Sequence, residues 1–551
     1  MNMKNILRSA LSLIAATGLM ATLNAQVTIT DDGSGTGTTT WTSDNVYVLD
    51  GFVFVNDGDV LTIEPGTVIK GKSGSGADAS ALVVARGGQI QANGTADAPI
   101  VFTFEADALD GSTPYNVRGQ WGGVIILGQA TLNSSPGETQ IEGIPDTESR
   151  GLYGGTNDED NSGSMTYVSI RHGGTDIGAG NEINGLTLGG VGAGTTLDYI
   201  EVISNADDGV EFFGGTASIK HVVTAFCGDD SFDYDEGWRG YGQFWCTVQE
   251  EGEGDRGGEH DGGTDPEDGM PYAHPIIYNA TYIGRGASAG KRALTLRDNA
   301  GGEYHNSIFY NWGKGIDIEN LASGEDAYAR FENNEVAFAG NIFDACTSLG
   351  LDATASDLFK ITMGSGWASE ADSTEAATSS AAAFQASFAA NNNSVAATGL
   401  SWVIEEGSGQ LNLVPNSDVP AGANPTIDWF EDVNFAGAFD PSNDCTWLEG
   451  WSMLSSRGFI GCSTGIAQAE ANAFSVYPNP TNGQFTLVSD WNAAQATIQI
   501  TDLSGKLVFQ SNQVLVAGQP IAFDLNGIHS GLYIVSVTEG MRSQYTKLLV
   551  E

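Results

Sequence analysis

The sequence predicts an all-β protein, a parallel β-helix followed by a small C-terminal β-sandwich, and three observations carry that reading. From about Trp41 the chain runs in short alternating or β-branched apolar segments, VYVLDGFVFV, DVLTIEPGTVI, ALVVARGGQIQANG, PIVFTFEAD and WGGVIILGQATL, each bounded by turn residues. Amphipathic helical periodicity is scarcely present before residue 360. The third observation is self-similarity: LDYIEVI (197–203) aligns with IKHVVTA (219–225) at an offset of 22, and NADDGVEFFGG (205–215) aligns with CGDDSFDYDEG (227–237) at the same offset. Leu294 and Ile316 again differ by 22, and LTLGG (186–190) matches VEFFGG (210–215) with one residue inserted. A fixed period of this length marks a solenoid whose coils stack at strand spacing over a continuous core.

Taken in order, the chain opens with Lys4 and Arg8, an apolar stretch from about Leu11 to Met20 and small residues to Ala25, the order of a cleavable signal peptide over 1–25. The apolar run is too short for a membrane span, so the mature chain is expected to have no transmembrane segment. The β-helix is expected over 26–346. After Cys346 the rhythm is lost, and 347–463 reads as a capping region: 366–400 is rich in Ala, Ser and Asn, with a short helix expected, and 433–454 is expected to close the open end of the solenoid. Residues 464–474 are small and polar and read as a linker, and 475–551 alternate as a separate β-sandwich.

Composition narrows the partners. A net charge of -47 over 551 residues repels phosphate, which excludes nucleic-acid partners and favours cations or basic surfaces. Five cysteines are an odd set: Cys227 with Cys246 and Cys445 with Cys462 are expected local disulfides, leaving Cys346 over.

The segments VLTIEPGTVIKG (60–71), GGQIQANGTADAPIVFT (87–103), RGQWGGVIILG (118–128) and IEGIPDTESRGLYGG (141–155) resemble the right-handed parallel β-helix proteins of bacterial surfaces and secreted polysaccharide-active enzymes. That resemblance spans about residues 40–345 and implies architecture more than chemistry. YPNP (477–480), NGQF (482–485), DLSGK (502–506), GLYIVSV (531–537) and the terminal KLLVE (547–551) resemble the C-terminal sorting domain of the type IX secretion system of the Bacteroidetes. The sorting signal then comprises Tyr477, Pro478, Asn479, Pro480, Gly505, Gly531, Tyr533 and Lys547, and the implied partner is the type IX secretion machinery. The implied destination is the medium or the outer cell surface.

The densest chemistry lies in CGDDSFDYDEGW (227–238). The 22-residue register sets Val210 and Phe212 under Phe232 and Tyr234, facing inward, so Glu211 and Asp233 face out. It also stacks Asp207 on Asp229 and Asp208 on Asp230. Like charges about 4.8 Å apart repel by roughly 3 kcal/mol at an effective dielectric near 20, so compensation is required. A divalent cation is one remedy. Calcium takes six to eight oxygens in irregular geometry, and Asp207, Asp208, Glu211, Asp229, Asp230, Asp233, Asp235 and Glu236 are the expected ligands. NDEDNSG (157–163) is a weaker second candidate. Nearby Lys220, Arg239, Arg256, Lys291, Arg292 and Arg297 supply a second remedy. The third is catalytic: Asp208, Asp229, Asp230, His260 and Arg292 resemble in order the acids, histidine and base of pectin-type hydrolases and lyases, though His260 lacks flanking glycines. Trp121, Trp238, Tyr241 and Trp245 read as core in preference to a sugar platform, and His172 and His221 as packed. The reading favoured is a binding, adhesion or structural protein contacting glycans or other surface components. A secreted polysaccharide hydrolase or lyase is the alternative.

Overall fold

The structure, a computed structural model, describes residues 25–346, 359–462 and 474–550 apart from 146, 179–180, 264–265, 365, 424, 444, 490, 503–505, 526 and 540–541. All but the last residue of the expected signal peptide and of the expected linker, and Gly505, lie outside the described residues. The chain divides into two compact units, Met1–Cys462 and Ser463–Glu551.

The first unit is a parallel β-helix with three faces. On the first face ten strands pair in parallel, from Phe52–Val55 through Val210–Phe213, Phe232–Asp235 and Gly258–Asp261 to Phe359–Met363. The repeat register holds: Leu197 pairs with Ile219, Val210 with Phe232, and Leu294 with Ile316. The second and third faces share long strands, Gly163–Arg171, Thr196–Ile203, Ile219–Ala225 and Tyr241–Val248, each bent about one residue with positive φ: Tyr167, Tyr199, His221 and Phe244. Side chains rarely adopt that conformation. Here their rings form a continuous stack along the axis, with centroids 4.4, 4.2 and 4.8 Å apart, which offsets the backbone cost. On later coils Asn279, Asn306 and Gly340, all tolerant of positive φ, turn the same corner.

Inward residues of the first face make two apolar columns. One runs Val124, Leu186, Val210, Phe232, Gly258, Leu294 and Ile316; the other runs Ile126, Leu188, Phe212, Tyr234, His260, Leu296 and Ile318. Trp121, Trp238 and Trp245 are fully buried in the same core, so they form no sugar platform, while Tyr241 packs against Trp429 and Phe430.

Parallel pairing outlasts the sequence rhythm, since Ile316 pairs with Phe359 and Ile342 with Ser394. Between those strands lies a 21-residue helix, Glu370–Ala390, capped by the Ser369 side chain. Its Phe384 and Phe388 pack on Phe338 and Phe343 at the last coil. This helix covers the end of the core, and 433–454 does not. Residues 400–460 instead lie along the third face as a strap, where Leu411, Leu413, Phe439, Trp451 and Phe459 bury against Val223, Cys246, Ile283 and Ile308. The outward residues of that face are apolar, and no second coil can cover them, so a strap must. Glu201 pins it: this fully buried carboxylate accepts from the backbone of Met453 at 2.7 Å and from Ser169 at 2.5 Å.

Cys445 and Cys462 form the expected disulfide. Cys227 and Cys246 do not pair. Cys227 turns into the solenoid core and Cys246 turns outward under the strap, so the wall of the coil separates them, and Cys346 is buried and free.

The second unit packs an antiparallel three-stranded sheet with a four-stranded one. Its core includes Phe485, Leu487, Ile498, Ile500, Val535, Val537 and Leu548. Asn479 of YPNP clamps the terminal strand, donating to the Lys547 carbonyl at 2.7 Å and accepting from Leu549 N at 2.9 Å. Tyr533 donates to the His529 carbonyl at 2.8 Å.

Candidate functional site

The outward side of the first face carries the charged residues. Strand alternation sends Glu211, Asp233, Glu259, Thr295 and Asp317 out in one column, each in register with the next. The turn feeding each strand adds more. The Gly209 amide donates to the Asp230 carbonyl and the Asp255 amide to the Asp229 carbonyl, so Asp207, Asp229 and Asp255 stack, as do Asp208, Asp230 and Arg256.

Two overlapping groups form at the 205–233 coils. Ligand oxygens of Asp208, Glu211 and Asp233 lie within 4.8 Å of one another, as do those of Asp207, Asp208 and Asp229. Asp208 and Glu211 are buried, although they point away from the core. No basic side chain pairs with Asp207, Asp208, Glu211 or Asp233 among the described residues. The Asp208 carboxylate accepts from the Asp230 amide at 2.8 Å, and Glu211 accepts from the Asn184 side chain. Oδ1 of Asp233 is shut off from solvent and accepts no hydrogen bond. Burial, followed by neighbouring carboxylates, drives the acids above their ordinary range: Asp208, Glu211 and Asp233 well above it, and Asp207 up to about 7.

The outward column of the adjacent coils is neutralised from within, although Glu267, Asp298 and Glu319 form a further acidic group there, with Asp298 raised to about 6 by burial and then Asp261. Arg256 lies 3.2 Å from Asp230, 3.3 Å from Asp255 and 3.1 Å from Glu259. Arg297 pairs with Glu259 and Asp261, both at 2.6 Å, Lys291 with Asp255 at 2.8 Å, and Arg292 with Asp317 at 2.6 Å. Asp230 is still raised, by burial and then Glu259, against the pull of Arg256.

The structure therefore divides the expected ligand set. Asp207, Asp208, Glu211, Asp229 and Asp233 come together in the two overlapping groups, and Asp230 joins Asp229 and Asp255 in a third. Asp235 lies further along the strand, paired with Phe213, in none of these groups but close enough to help raise Glu211 and Glu142, and Glu236 has left the face at the following corner, where it accepts from Tyr153 at 2.7 Å and is raised to about 7 by burial. In the 157–163 segment, Asp158 pairs with Arg239 at 3.2 Å and Asp160 is hydrogen-bonded to Ser162. Two contributors were not visible in the sequence. Glu142 arrives in the 141–151 loop and raises Asp207 and Glu211, while Asn184 bonds Glu211 and lies 3.5 Å from Glu142.

The expected catalytic set is not assembled. His260 is in the core: it pairs with Tyr234, stacks on it at 4.2 Å, bonds Tyr304 at 2.6 Å and is held near pKa 3 by burial. Gly258 makes room for it, since a Cβ there would lie 2.4 Å from the imidazole. Arg292 is tied to Asp317 on a later coil. His172 bonds the Val117 carbonyl at 2.6 Å inside the wall, and His221 bonds Asp198 at 2.8 Å within the corner stack.

Against this geometry, residues 33–401 match a family described as a pectate-lyase-like β-helix domain. The chain belongs to that family. Residues 475–551 match the secretion system C-terminal sorting domain, which marks the protein as secreted or displayed at the cell surface through the type IX system. No helix among the described residues is long and apolar enough to cross a membrane. No curated protein matches the chain. Among solved structures, the enzymatically active domain of tailspike protein 2 of bacteriophage CBA120 is 12% identical, covering 92% of this chain and 72% of that one. The TM-score of 0.20 is too low for that likeness to carry any argument.

Proposed function

We propose that the protein is a non-enzymatic binding scaffold exported to the outer surface, holding a calcium ion against the 205–233 coils and meeting glycans or other surface components along its outer faces. The observation that carries this reading is the unneutralised group of buried Asp208 and Glu211 with part-buried Asp233, whose Oδ1 is shut off from solvent. Three mutually repelling carboxylates with an unpartnered oxygen are an ion's coordination sphere in the making, and they are too enclosed to grip a sugar ring. Calcium suits them because its ligands are hard oxygens in irregular array. Membership of a pectate-lyase-like family supports the glycan as ligand class.

The competing reading, a polysaccharide hydrolase or lyase, draws on Arg256 and Arg297, which stand beside carboxylates on one face. Both are committed to ion pairs, and the histidine that enzyme would use is in the core. The test is a panel of acidic and neutral polysaccharides incubated with the full secreted chain, followed by binding, reducing ends and unsaturated-product absorbance. Retention on at least one polymer without turnover is expected. Turnover that disappears in Asp208→Asn/Asp230→Asn would establish the enzyme instead.

A further inference from the structure

The two edges of the four-stranded sheet in the C-terminal unit are finished differently. The sheet order is Leu507–Leu515, Ala493–Asp502, Gly531–Glu539, Arg542–Val550. The Arg542–Val550 edge is closed by the 477–481 segment: Asn479 bonds the backbone of Lys547 and Leu549, Thr481 N donates to the Leu549 carbonyl at 2.8 Å, and Thr481 bridges to Val550. The Leu507–Leu515 edge pairs with no further strand among the described residues, although Phe509 packs on Phe523 of the facing sheet. It pairs only with Ala493–Asp502, so every second residue presents a backbone N–H and C=O outward.

Exposed edges are usually blunted by Lys, Pro, a bulge or brevity. Leu507–Leu515 is nine residues long and reads LVFQSNQVL, with neither a charge nor a proline; its one bulge, at Val508, lies at the start of the strand, and Phe509–Gln513 pairs without interruption. Phe509 and Leu515 turn to the core, while Val508 is 41% and Val514 63% exposed on the other side. This stands in a protein of net charge -47 whose residues 475–551 hold only five acidic and three basic side chains. An acidic chain has ample means to protect an edge with charge and, beyond the bulge at Val508, has left Phe509–Leu515 unprotected.

We infer that the Leu507–Leu515 edge is where the export machinery takes hold, by adding an extended, uncharged strand of its own to the four-stranded sheet. Backbone pairing supplies the affinity, and Val508 and Val514 supply an apolar footing for alternate side chains of the incoming strand. The absence of charge on this strand is what lets a neutral partner strand approach a protein that otherwise repels anions and attracts cations. The inference rests on the match of this unit to a sorting domain.

The test follows the full chain in its own secreting host, with a 475–551 deletion as the control for the sorting match. The deletion is expected to trap the chain in the periplasm; its normal export would refute the sorting role itself. Val508→Lys with Val514→Lys is expected to lower the exported fraction at least tenfold, leaving a protease-resistant, hence folded, chain behind. Val508→Thr with Val514→Thr, which keeps strand propensity and adds no charge, is expected to give a partial loss. Gln499→Lys, on the same face one strand in from the edge, is expected to export normally. Wild-type export of the double lysine variant overturns the inference, as does an equal block by Gln499→Lys. A purified wild-type dimer that the lysine pair dissociates overturns it in favour of pairing between copies.

Discussion

The coils that carry 207–233 and those that carry 255–317 present the same face of the same solenoid, yet they handle negative charge in opposite ways. In the later coils Arg256 spans Asp230, Asp255 and Glu259, Arg297 spans Glu259 and Asp261, and Arg292 holds Asp317. In the earlier coils Asp208, Glu211 and Asp233 face one another with only backbone and amide donors nearby. Stacking is what makes the difference matter. A parallel β-helix repeats each outward position at about 4.8 Å, so a charge that recurs along the column must be answered on every coil. Where Arg recurs, the fold answers itself; where it does not, the answer has to come from solution or from protons.

The comparison breaks most visibly at Arg256. Arg256→Ala leaves Asp230, which is 1% exposed, without its own basic partner, although Lys291 still holds Asp255 and Arg297 still holds Glu259, and a buried pair that loses one partner costs about 3–5 kcal/mol. A fall of that size in unfolding free energy is expected in urea titrations. A loss below about 1 kcal/mol would show that the later coils do not depend on their arginines.

A smaller effect sharpens the comparison through pH. Carboxyls whose folded pKa is raised hold more protons in the native than in the unfolded chain between about pH 4 and the folded value, so stability is present below that window and is lost as pH rises through it. Asp207 and Glu236 reach about 7, and Asp208, Glu211 and Asp233 are raised well above their ordinary values by burial and then by neighbouring carboxylates. In chelator the melting temperature is therefore expected to fall from pH 5 to pH 7.5, each group contributing a slope of up to about 1.4 kcal/mol per pH unit. Calcium is expected to flatten that slope. A chelated protein more stable at pH 7.5 than at pH 5 would contradict the proton bookkeeping at these coils.

How much of this was legible in the sequence depended on whether a residue sat in the repeat. Leu197 over Ile219 and Glu211 beside Asp233 could be read because alternation and a 22-residue offset determine both neighbour and facing. His260 was misassigned because the 250–257 loop lengthens the next coil, moving Phe232 onto Gly258 at an offset of 26 and sending His260 inward with Tyr234. Facing also separated Cys227 from Cys246, an effect that chain distance alone conceals. Glu142 reaches the site from a segment outside the aligned coils, so no register pointed to it, whereas Asn184 precedes Leu186 as Asp208 precedes Val210 and carries no charge to mark it. The strap over the third face has no period, and its role became readable only once the outward apolar side chains Val223, Cys246 and Ile283 were seen to need a cover.

The central claim is that the earlier coils are completed by a calcium ion as the later ones are completed by arginine. Calorimetric titration of the metal-free full chain with calcium tests it most directly, beside Asp208→Asn/Asp233→Asn, which keeps side-chain size and the Asp208 oxygen that accepts from Asp230. Saturable binding is expected in the wild type and none in the variant. A reversal of rank is also expected: the variant melts above the wild type in chelator, where like charges have been removed, and below it in millimolar calcium. No heat of binding in the wild type, with melting temperatures insensitive to calcium, would contradict the account and leave these carboxylates compensated by protons alone.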